Sequence, residues 1–422
     1  MSDFNDVPNS VEEEIRTVFE NRTDDEFQPG ETPVRLSAPT YGAEEVIESL
    51  DSLMSTWVTM GEKVKNFENQ WADYVGTNHS TMVNSGSSAN LLALKALEGD
   101  VIEPGDEVIV PAVSWSTSVF PIVDVNAKPV LVDVNPSTYT IDVEAFKEAI
   151  TDDTSAVVLV HLLGNPCKMA PIMEICEEHD IAVIEDSCEA HGAEYGGQKV
   201  GSFGDIGTFS FFFSHHISTI EGGMITTNSS EYLDRNRACR AHGWVREMES
   251  RDEYIRESPE IDERFLFVSH GYNLRPTEIQ GAFGLHQLNR LEEFIDVRRD
   301  NATSLNAELE RFDDLFNILY ERPDTRCSWF AYPIHVQDDT PFTRDELQEF
   351  LEEKLIETRP ILAGNLARQP ALRQIDYRQV GDLEASESIH ESGLFIGNHH
   401  KIGDDKIEYI LESLEEFVSE YA

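Results

Sequence analysis

Basic side chains, paired cysteine motifs and long apolar runs are all scarce in this chain of 422 residues. Lysine and arginine together number 32 against 80 aspartates and glutamates, so the formal net charge is −48. This anionic excess argues against the basic surface that nucleic acids and anionic membranes require of a partner. No apolar run reaches the roughly 18 residues of a membrane span, and the acidic N-terminal stretch does not resemble a signal peptide. We therefore expect neither nucleic acid nor membrane as a partner.

The cysteines also lack any pattern that would make a shared structural site. The five cysteines are Cys167, Cys176, Cys188, Cys239 and Cys327. None of them belongs to a CxxC pair or to a spacing typical of zinc ligands. Unpaired thiols persist in a reducing compartment. We expect a cytoplasmic protein that holds no metal.

Three regions of the chain differ in their residue patterns. Residues 1–32 are predicted to form an acidic extension, in which a capping box beginning at Ser10 would start a helix. Residues 33–290 alternate short apolar runs such as "EVIVPAV" and "IAVIED" with helical stretches. That alternation predicts a large α/β domain around a mostly parallel mixed sheet. One long helical pattern covers 276–312, and residues 291–422 indicate a smaller C-terminal α+β domain.

A glycine-serine-serine turn leads directly into a helical pattern in "NSGSSANLLALKAL". Exposed backbone N–H groups and the helix dipole at such a turn bind phosphate. Gly86 lets a ligand approach the backbone closely, and Ser87 and Ser88 add hydroxyl donors. An ordinary serine-rich helix cap without a ligand explains the same pattern.

Two further side chains are predicted at the edge of the sheet where ligands of open α/β folds bind. Asp186 ends the buried run "IAVIED", and Trp115 follows "VPAV". The carboxylate can pair with a protonated ring nitrogen, and the indole can stack on a flat ring; a helix cap and a core tryptophan are the structural alternatives. With the phosphate turn, this set suits pyridoxal phosphate, whose pyridinium nitrogen needs an acidic partner.

Enzymes that use pyridoxal phosphate normally bind it through a lysine. The chain has no lysine between Lys199 and Lys354, and "SFFFSH" places His215 in the expected slot. We interpret the preceding apolar residues as a strand that fixes the direction of His215, so that His216 would point the other way.

These motifs, together with "IEDSCEAHGA", "EGGMITT" and "GYNLRPTEIQGAFGLHQL", resemble the DegT/DnrJ/EryC1/StrS family of sugar-nucleotide aminotransferases over residues 33–420. The resemblance implies the fold type I architecture of pyridoxal phosphate-dependent transferases. It implies that Ser210 joins Gly86 and Ser87 at the phosphate and that Glu189 lies near the ring hydroxyl.

The resemblance also implies a homodimer with shared active sites, because Asn273 would reach the phosphate of the neighbouring subunit's cofactor. Candidate contacts to the sugar or the diphosphate, for which structural roles are equally open, are His242, His399, His400, Arg240 and Arg246. His216 receives no role.

The branch of the family that carries histidine for lysine implies a lyase of deoxysugar biosynthesis. Such an enzyme removes the 3-hydroxyl of a nucleotide-linked 4-keto-6-deoxyhexose, here GDP-4-keto-6-deoxymannose, with glutamate recharging pyridoxamine phosphate. His215 would be the catalytic base. An iron–sulfur cluster is not expected, since Cys239 stands alone in its region. The alternatives are an aminotransferase that makes a 4-amino sugar and a non-catalytic regulator that binds the cofactor.

The spread of acidic residues along the whole chain predicts adaptation to high salt, because screening weakens the repulsion among like charges. The alternative is an acidic coat that serves solubility alone. We expect the melting temperature to rise between low and molar salt in a thermal denaturation series. A melting temperature that stays constant or falls over this range would contradict the adaptation.

Overall fold

The computed structural model describes residues 7–22 and 27–421. The helices in these residues are α1 (Asn9–Glu20), α2 (Ala43–Met54), α3 (Glu62–Val75), α4 (Gly86–Leu97), α5 (Ser116–Asp124), α6 (Val143–Ala149), α7 (Met169–His179), α8 (Ser230–Arg240), α9 (Arg251–Glu257), α10 (Glu278–Leu288), α11 (Leu291–Leu309), α12 (Arg344–Glu353), α13 (Glu384–Ser392) and α14 (Asp404–Tyr421). The strands are β1 (His79–Val83), β2 (Glu107–Pro111), β3 (Lys128–Val132), β4 (Thr154–Val160), β5 (Ala182–Asp186), β6 (Glu194–Tyr195), β7 (Gln198–Lys199), β8 (Ile206–Ser210), β9 (Gly223–Thr227), β10 (Phe316–Asn317), β11 (Thr325–Arg326), β12 (Tyr332–Val336), β13 (Thr358–Pro360), β14 (Arg378–Gln379) and β15 (Gly393–Ile396).

Among the described residues, the largest sheet has eight strands in the order β1-β9-β8-β5-β4-β2-β3-β14. The strands from β8 to β14 run parallel. At the other edge β9 runs antiparallel to β8, and β1 pairs antiparallel with β9 and so has the same direction as β8. The central strands β2, β4 and β5 are almost wholly buried, which requires cover on both faces and explains their continuous Val, Ile and Leu runs. The predicted α/β class with a mostly parallel mixed sheet is confirmed.

The carboxyl end of β5 is held in place by a buried carboxylate. Glu185 accepts hydrogen bonds from the backbone N–H groups of Gly201 (2.8 Å), Phe203 (2.7 Å) and Gly204 (2.8 Å) and from the ring of His161 (3.0 Å). These donors follow β4 and precede β8, the two neighbours of β5 in the sheet. Glu185 thus ties the loop after β4 and the loop before β8 to β5, one residue before Asp186.

The C-terminal part builds a second, antiparallel sheet in the order β10-β12-β15-β13. It also returns one strand, β14, to the large sheet, where Arg378 makes a bidentate ion pair with Glu107 on β2 (2.8 and 2.6 Å). The predicted single helix over 276–312 is wrong, since α10 ends at Leu288 and α11 begins at Leu291. The division of the chain at residue 290 remains a prediction.

The helix predicted in the N-terminal extension is present as α1, but its predicted capping box is wrong. Pro8 occupies the cap position, so Ser10 already lies inside the first turn, where its hydroxyl cannot cap the helix. The helix packs against α2, and the Phe19 ring meets Tyr41 at 6.3 Å between centroids. Within the described ranges, no helix combines the length and apolarity that crossing a bilayer requires.

Candidate active site

The predicted phosphate turn forms the first turn of α4. The Ser85 hydroxyl caps the helix by accepting a hydrogen bond from the Ser88 N–H (3.2 Å), and the Ser88 hydroxyl donates to Asn84 (2.7 Å). The Ser88 hydroxyl is therefore engaged in the cap, whereas Ser87 is exposed at the helix N-terminus. Of the two predicted hydroxyl donors, the geometry favours Ser87 for an incoming anion.

Gly86 and Ser210 come together although they lie far apart in the chain. A Cβ atom at Gly86 would stand 2.5 Å from the Ser210 Cβ, well inside van der Waals contact. Ser210 is the last residue of β8, so the N-terminus of α4 sits directly on the end of that strand. The close approach excludes any side chain at Gly86 and places two of the predicted phosphate contacts side by side.

Asp186 is buried and held by donors from three elements. Its carboxylate accepts hydrogen bonds from Asn90 on α4 (2.8 Å), Ser118 on α5 (2.8 Å) and the backbone N–H of Cys188 (3.2 Å). Asn90 in turn accepts a hydrogen bond from Thr208 on β8 (2.6 Å). None of these supports is predicted from the sequence, although Asn90 falls in the quoted "NSGSSANLLAL" motif.

Trp115 presents an open aromatic face beside this carboxylate. It precedes α5 and is 55% exposed, unusual for a side chain of its size. Its carbonyl accepts a hydrogen bond from the Ser118 N–H (3.0 Å), so the indole begins one turn from the residue that holds Asp186. This placement suits stacking on a flat ring better than a core role.

Glu189 binds the loop that follows β4. Its carboxylate accepts a hydrogen bond from the Leu163 N–H (2.9 Å), and Leu163 adopts a left-handed backbone with φ of 54°. Burial raises the pKa of Glu189 from 4.5 to about 7; the Leu163 hydrogen bond opposes the rise and the charge of Asp186 adds to it. Glu189 is therefore poised between its two protonation states at neutral pH.

The predicted strand leading to His215 is wrong, because His215 lies in a turn. Strand β8 stops at Ser210, and a turn follows in which the His215 N–H donates to the carbonyl of Phe212 (3.0 Å). The His215 ring lies between the rings of Phe330 (5.2 Å between centroids) and His191 (5.9 Å). Packing in a turn, rather than a strand, sets the direction of this imidazole.

Burial keeps His215 uncharged, and a buried cation behind the turn adds to the effect. Burial lowers the pKa of His215 to about 3, and the guanidinium of Arg298 lowers it further. Arg298 donates to the carbonyls of Phe330 (2.7 Å) and Trp329 (3.3 Å), and burial lowers its own pKa to about 9 because no carboxylate of the described residues pairs with it. His215 is therefore neutral at pH 7, the form that accepts a proton.

The expectation that His216 points away from His215 is wrong. Its ring is fully buried and contacts the same two neighbours, His191 at 5.2 Å and Phe330 at 6.0 Å between centroids. The His216 Nε2 donates a hydrogen bond to the carbonyl of Ser328 (2.9 Å). The alternation of an extended strand does not apply because the chain turns here.

Asn273 lies outside this cluster of residues. Its side chain is exposed and accepts a hydrogen bond from Arg275 (3.0 Å). The candidate role of Arg240 in binding a diphosphate is wrong, because its buried guanidinium already forms ion pairs with Glu68 (2.7 Å) and Glu247 (2.7 Å).

The remaining candidates fall into two groups. His399 and His400 are used in packing: the first donates to the carbonyl of Arg35 (3.1 Å), and the second stacks on a phenylalanine ring of α11 (4.3 Å between centroids). His242 and Arg246 are exposed. Only this second pair is free to meet a ligand.

Comparison with known proteins places this geometry in context. Residues 39–415 match the DegT/DnrJ/EryC1/StrS aminotransferase family. The chain is similar to GDP-4-keto-6-deoxy-D-mannose 3-dehydratase of Yersinia pseudotuberculosis, at 41% identity over 371 residues, 86% of this chain and 93% of the relative. It is similar to the enzyme of the same name from Escherichia coli O55:H7, at 40% identity over 385 residues, 90% of this chain and 98% of the relative.

A solved structure gives the same result for the fold. The structure of E. coli GDP-4-keto-6-deoxy-D-mannose-3-dehydratase with bound hydrated PLP has a TM-score of 0.85 and 38% identity, covering 90% of this chain and 99% of that chain. The architecture expected from the sequence motifs is thereby confirmed.

The raised pKa of Glu189 predicts that its replacement by neutral glutamine stabilises the fold more at high pH than at low pH. In the unfolded chain the carboxyl ionises near pH 4.5, but in the folded chain it holds its proton to about pH 7. Folding stability is therefore lost as the pH rises through this window. Glu189→Gln keeps the acceptor for Leu163 and never ionises. The difference in melting temperature between this variant and the unmodified chain should therefore be about 1–3 °C larger at pH 8 than at pH 5.

The measurement is thermal denaturation of dialysed protein at both pH values. Glu178→Gln, at an exposed position of α7, is the matched control and should show no such difference. An equal effect of Glu189→Gln at pH 5 and pH 8 would contradict the shifted pKa.

Proposed function

We propose a function from one premise: the chain belongs to the DegT/DnrJ/EryC1/StrS aminotransferase family. It is a pyridoxal phosphate-dependent 3-dehydratase of a nucleotide-linked 4-keto-6-deoxyhexose, GDP-4-keto-6-deoxymannose, and it uses glutamate as amino donor. One observation carries this proposal: a neutral His215 stands in the turn after Ser210, where the family places a lysine. The relatives described above, which carry the name of this activity, cover most of the chain.

The residues of the site fit the cofactor. A Cβ atom at Gly86 would fill the space beside Ser210, so these two residues and Ser87 form a cradle for its phosphate. Trp115 offers a plate for the ring, and Asp186 an acceptor for the protonated ring nitrogen. When bound as pyridoxamine phosphate, the cofactor supplies a primary amine for the sugar ketone and a sink for electrons.

The chain offers no lysine in the turn to hold the cofactor covalently. Lys199, the lysine that precedes the turn, lies on the β6–β7 hairpin, where it pairs with Glu194 (3.7 Å). Its ammonium group also rests 4.8 Å from the Tyr74 ring centroid. Because these contacts occupy the Lys199 ammonium group, they support non-covalent binding of the cofactor.

His215 moves the proton in this proposal. As a neutral imidazole it accepts the proton from C4′ of the cofactor, and as an imidazolium it donates to the 3-hydroxyl that leaves as water. The low pKa of His215 makes that imidazolium a strong acid for a poor leaving group. Overall, the ketosugar and glutamate give a 3-deoxy-4-ketosugar, 2-oxoglutarate and ammonia, so the oxygen lost from C3 balances the one gained by 2-oxoglutarate.

Product analysis tests the activity directly. The protein is incubated with pyridoxal phosphate, glutamate and a panel of 4-keto-6-deoxy sugar nucleotides, and the products are identified by mass spectrometry. Free ammonia and a 3-deoxy-4-ketosugar support dehydration. An amino sugar formed from glutamate would instead establish an aminotransferase, and no turnover of any substrate would favour a regulator.

We also propose a homodimer with shared active sites. Trp57, Val58 and Ile220 are exposed apolar residues on adjoining segments, since the Val58 carbonyl accepts from α10 and the carbonyl of Glu221 accepts from Gln280 of the same helix. An apolar surface of this kind is typical of an interface.

We further propose that the protein is cytoplasmic, which its unpaired cysteines support, and that it is adapted to high salt.

The role of His215 predicts opposite outcomes for two substitutions. His215→Asn keeps a polar side chain but cannot cycle a proton at neutral pH, so cofactor binding should persist while dehydration falls by about 10²–10⁴-fold or more. His215→Lys should bind the cofactor covalently, seen as a change in visible absorbance, and shift the products toward the amino sugar. Borohydride treatment should leave the cofactor of the unmodified protein dialysable.

The measurements are product formation rates and absorbance spectra of the three proteins. His335→Asn, a substitution of a buried histidine on β12, is the matched control for packing and should keep activity. An Asn variant at position 215 that dehydrates substrate at a near-normal rate would place the proton transfer elsewhere.

Shared active sites predict complementation between two inactive variants. Asn273→Asp would place a negative charge against the partner's phosphate, and His215→Asn removes the base from the chain's own site. Hybrid dimers contain one site that carries neither change, so mixing should restore part of the activity after subunit exchange. Each variant mixed with itself is the control. Mixtures that exchange subunits and stay inactive would mean that each site is built from one chain.

A further inference from the structure

The structure assigns His216 a task that the sequence left open. We propose that His216 is a positioning residue: its hydrogen bond to Ser328 holds the turn that carries His215 against the C-terminal part of the chain. The proposal concerns the placement of His215 and rests on the proposed function only for its kinetic consequence.

The anchor is a single, fully buried hydrogen bond. His216 is 0% exposed, and its Nε2 lies 2.9 Å from the Ser328 carbonyl oxygen. A carbonyl can only accept, so Nε2 carries the proton. The other ring nitrogen, Nδ1, is buried and makes no hydrogen bond to the described residues. All the hydrogen bonding of this ring is thus directed at the 328–330 segment.

That segment is itself rigidly held. The Ser328 N–H donates to the Gly164 carbonyl (3.0 Å), and the Phe330 N–H donates to the Leu163 carbonyl (3.0 Å). A Cβ atom at Gly164, where φ is +84°, would stand 2.6 Å from the Ser328 hydroxyl oxygen, so the two stretches are in direct contact. The buried Arg298 donates to the Phe330 carbonyl (2.7 Å). His216 therefore fastens a turn to a fixed support.

His215 depends on this support because its ring has little else to direct it. Its Nδ1 is buried without a hydrogen-bond partner in the described part of the chain, so packing determines its orientation. One of the rings against which it packs belongs to Phe330, at 5.2 Å between centroids, in the segment that His216 binds. Loss of the His216 bond would let the turn and the ring of Phe330 shift relative to each other.

The same contacts reach the other side of the site. Leu163, which accepts from Phe330, donates its own N–H to Glu189 (2.9 Å). The 328–330 segment therefore connects His215, through Leu163, to the carboxyl proposed to meet the ring hydroxyl. Its placement fixes the proton-transferring imidazole relative to the cofactor, and a displacement near 1 Å costs about 10²-fold in rate.

Two substitutions separate anchoring from filling space. His216→Phe keeps a ring of similar size and removes the donor, whereas His216→Gln can place an N–H close to the position of Nε2. We expect kcat of His216→Phe to fall about 10- to 100-fold with KM for the sugar nucleotide nearly unchanged, and His216→Gln to recover most of the loss. His335→Phe is the matched control, because this buried histidine lies on β12 of the second sheet and its Nε2 shares a hydrogen bond with the Ser388 hydroxyl on α13 (3.0 Å). Its kcat should not change.

A second measurement needs no substrate. With histidine labelled by ¹³C and ¹⁵N, the ring signals of His215 are compared by NMR in the cofactor-bound dimer of each variant. The signals should move in His216→Phe and return toward their original positions in His216→Gln. Unchanged His215 signals together with unchanged kcat in His216→Phe would overturn the proposal, as would an equal loss in the Phe and Gln variants. Absence of dehydration in the unmodified protein would refute the proposed function. The NMR comparison would then still test whether the His216 hydrogen bond positions His215.

Discussion

The Asp186 carboxylate is the interaction on which the rest of the site depends. It gathers donors from α4, α5 and its own turn, and Asn90 extends the network to Thr208 on β8. Hydrogen bonds to a charged group each contribute about 1.5–3 kcal/mol, so moving the carboxylate would break several contacts at once. Through Asn90 it holds α4 against β8, the two elements on which Gly86 meets Ser210. The phosphate cradle and the ring-nitrogen partner are two results of one buried network.

The charge distribution poses a separate problem that the site solves locally. A chain of net charge −48 repels a nucleotide diphosphate at long range, and salt at molar concentration screens that repulsion within a few ångströms. At short range the N-terminal N–H groups of α4 attract anions. The buried guanidinium of Arg298, with which no carboxylate of the described residues pairs, acts on His215. A buried cation that pairs with no carboxylate of the described residues is costly, and here its charge adds to burial in keeping the neighbouring imidazole neutral and ready to accept a proton.

Much of the site could be predicted from the sequence because its signals are local. The turn at Gly86 and the strand that ends at Asp186 are continuous patterns within a few residues, and the structure has both. The apolar "SFFF" predicts a strand that runs up to His215, but the strand ends at Ser210 and Phe213 is 55% exposed. The buried ion pair between Arg240 and Glu68 could not be predicted, since the two residues are 172 positions apart in the sequence. Local pattern predicts elements, whereas the partner of a long polar side chain is settled only by tertiary contact.

The replacement of lysine by histidine explains why the surroundings of this turn matter so much. A lysine bonded to the cofactor is positioned by that covalent bond, and its flexible stem tolerates some movement of the backbone. An imidazole forms no such bond, so its direction must come entirely from the protein. In this chain the direction comes from two rings packed on His215, one of them Phe330, and from a segment fixed to Leu163 by a backbone hydrogen bond. A site that gives up the covalent anchor thus needs a rigid support, and the C-terminal part of the chain provides it.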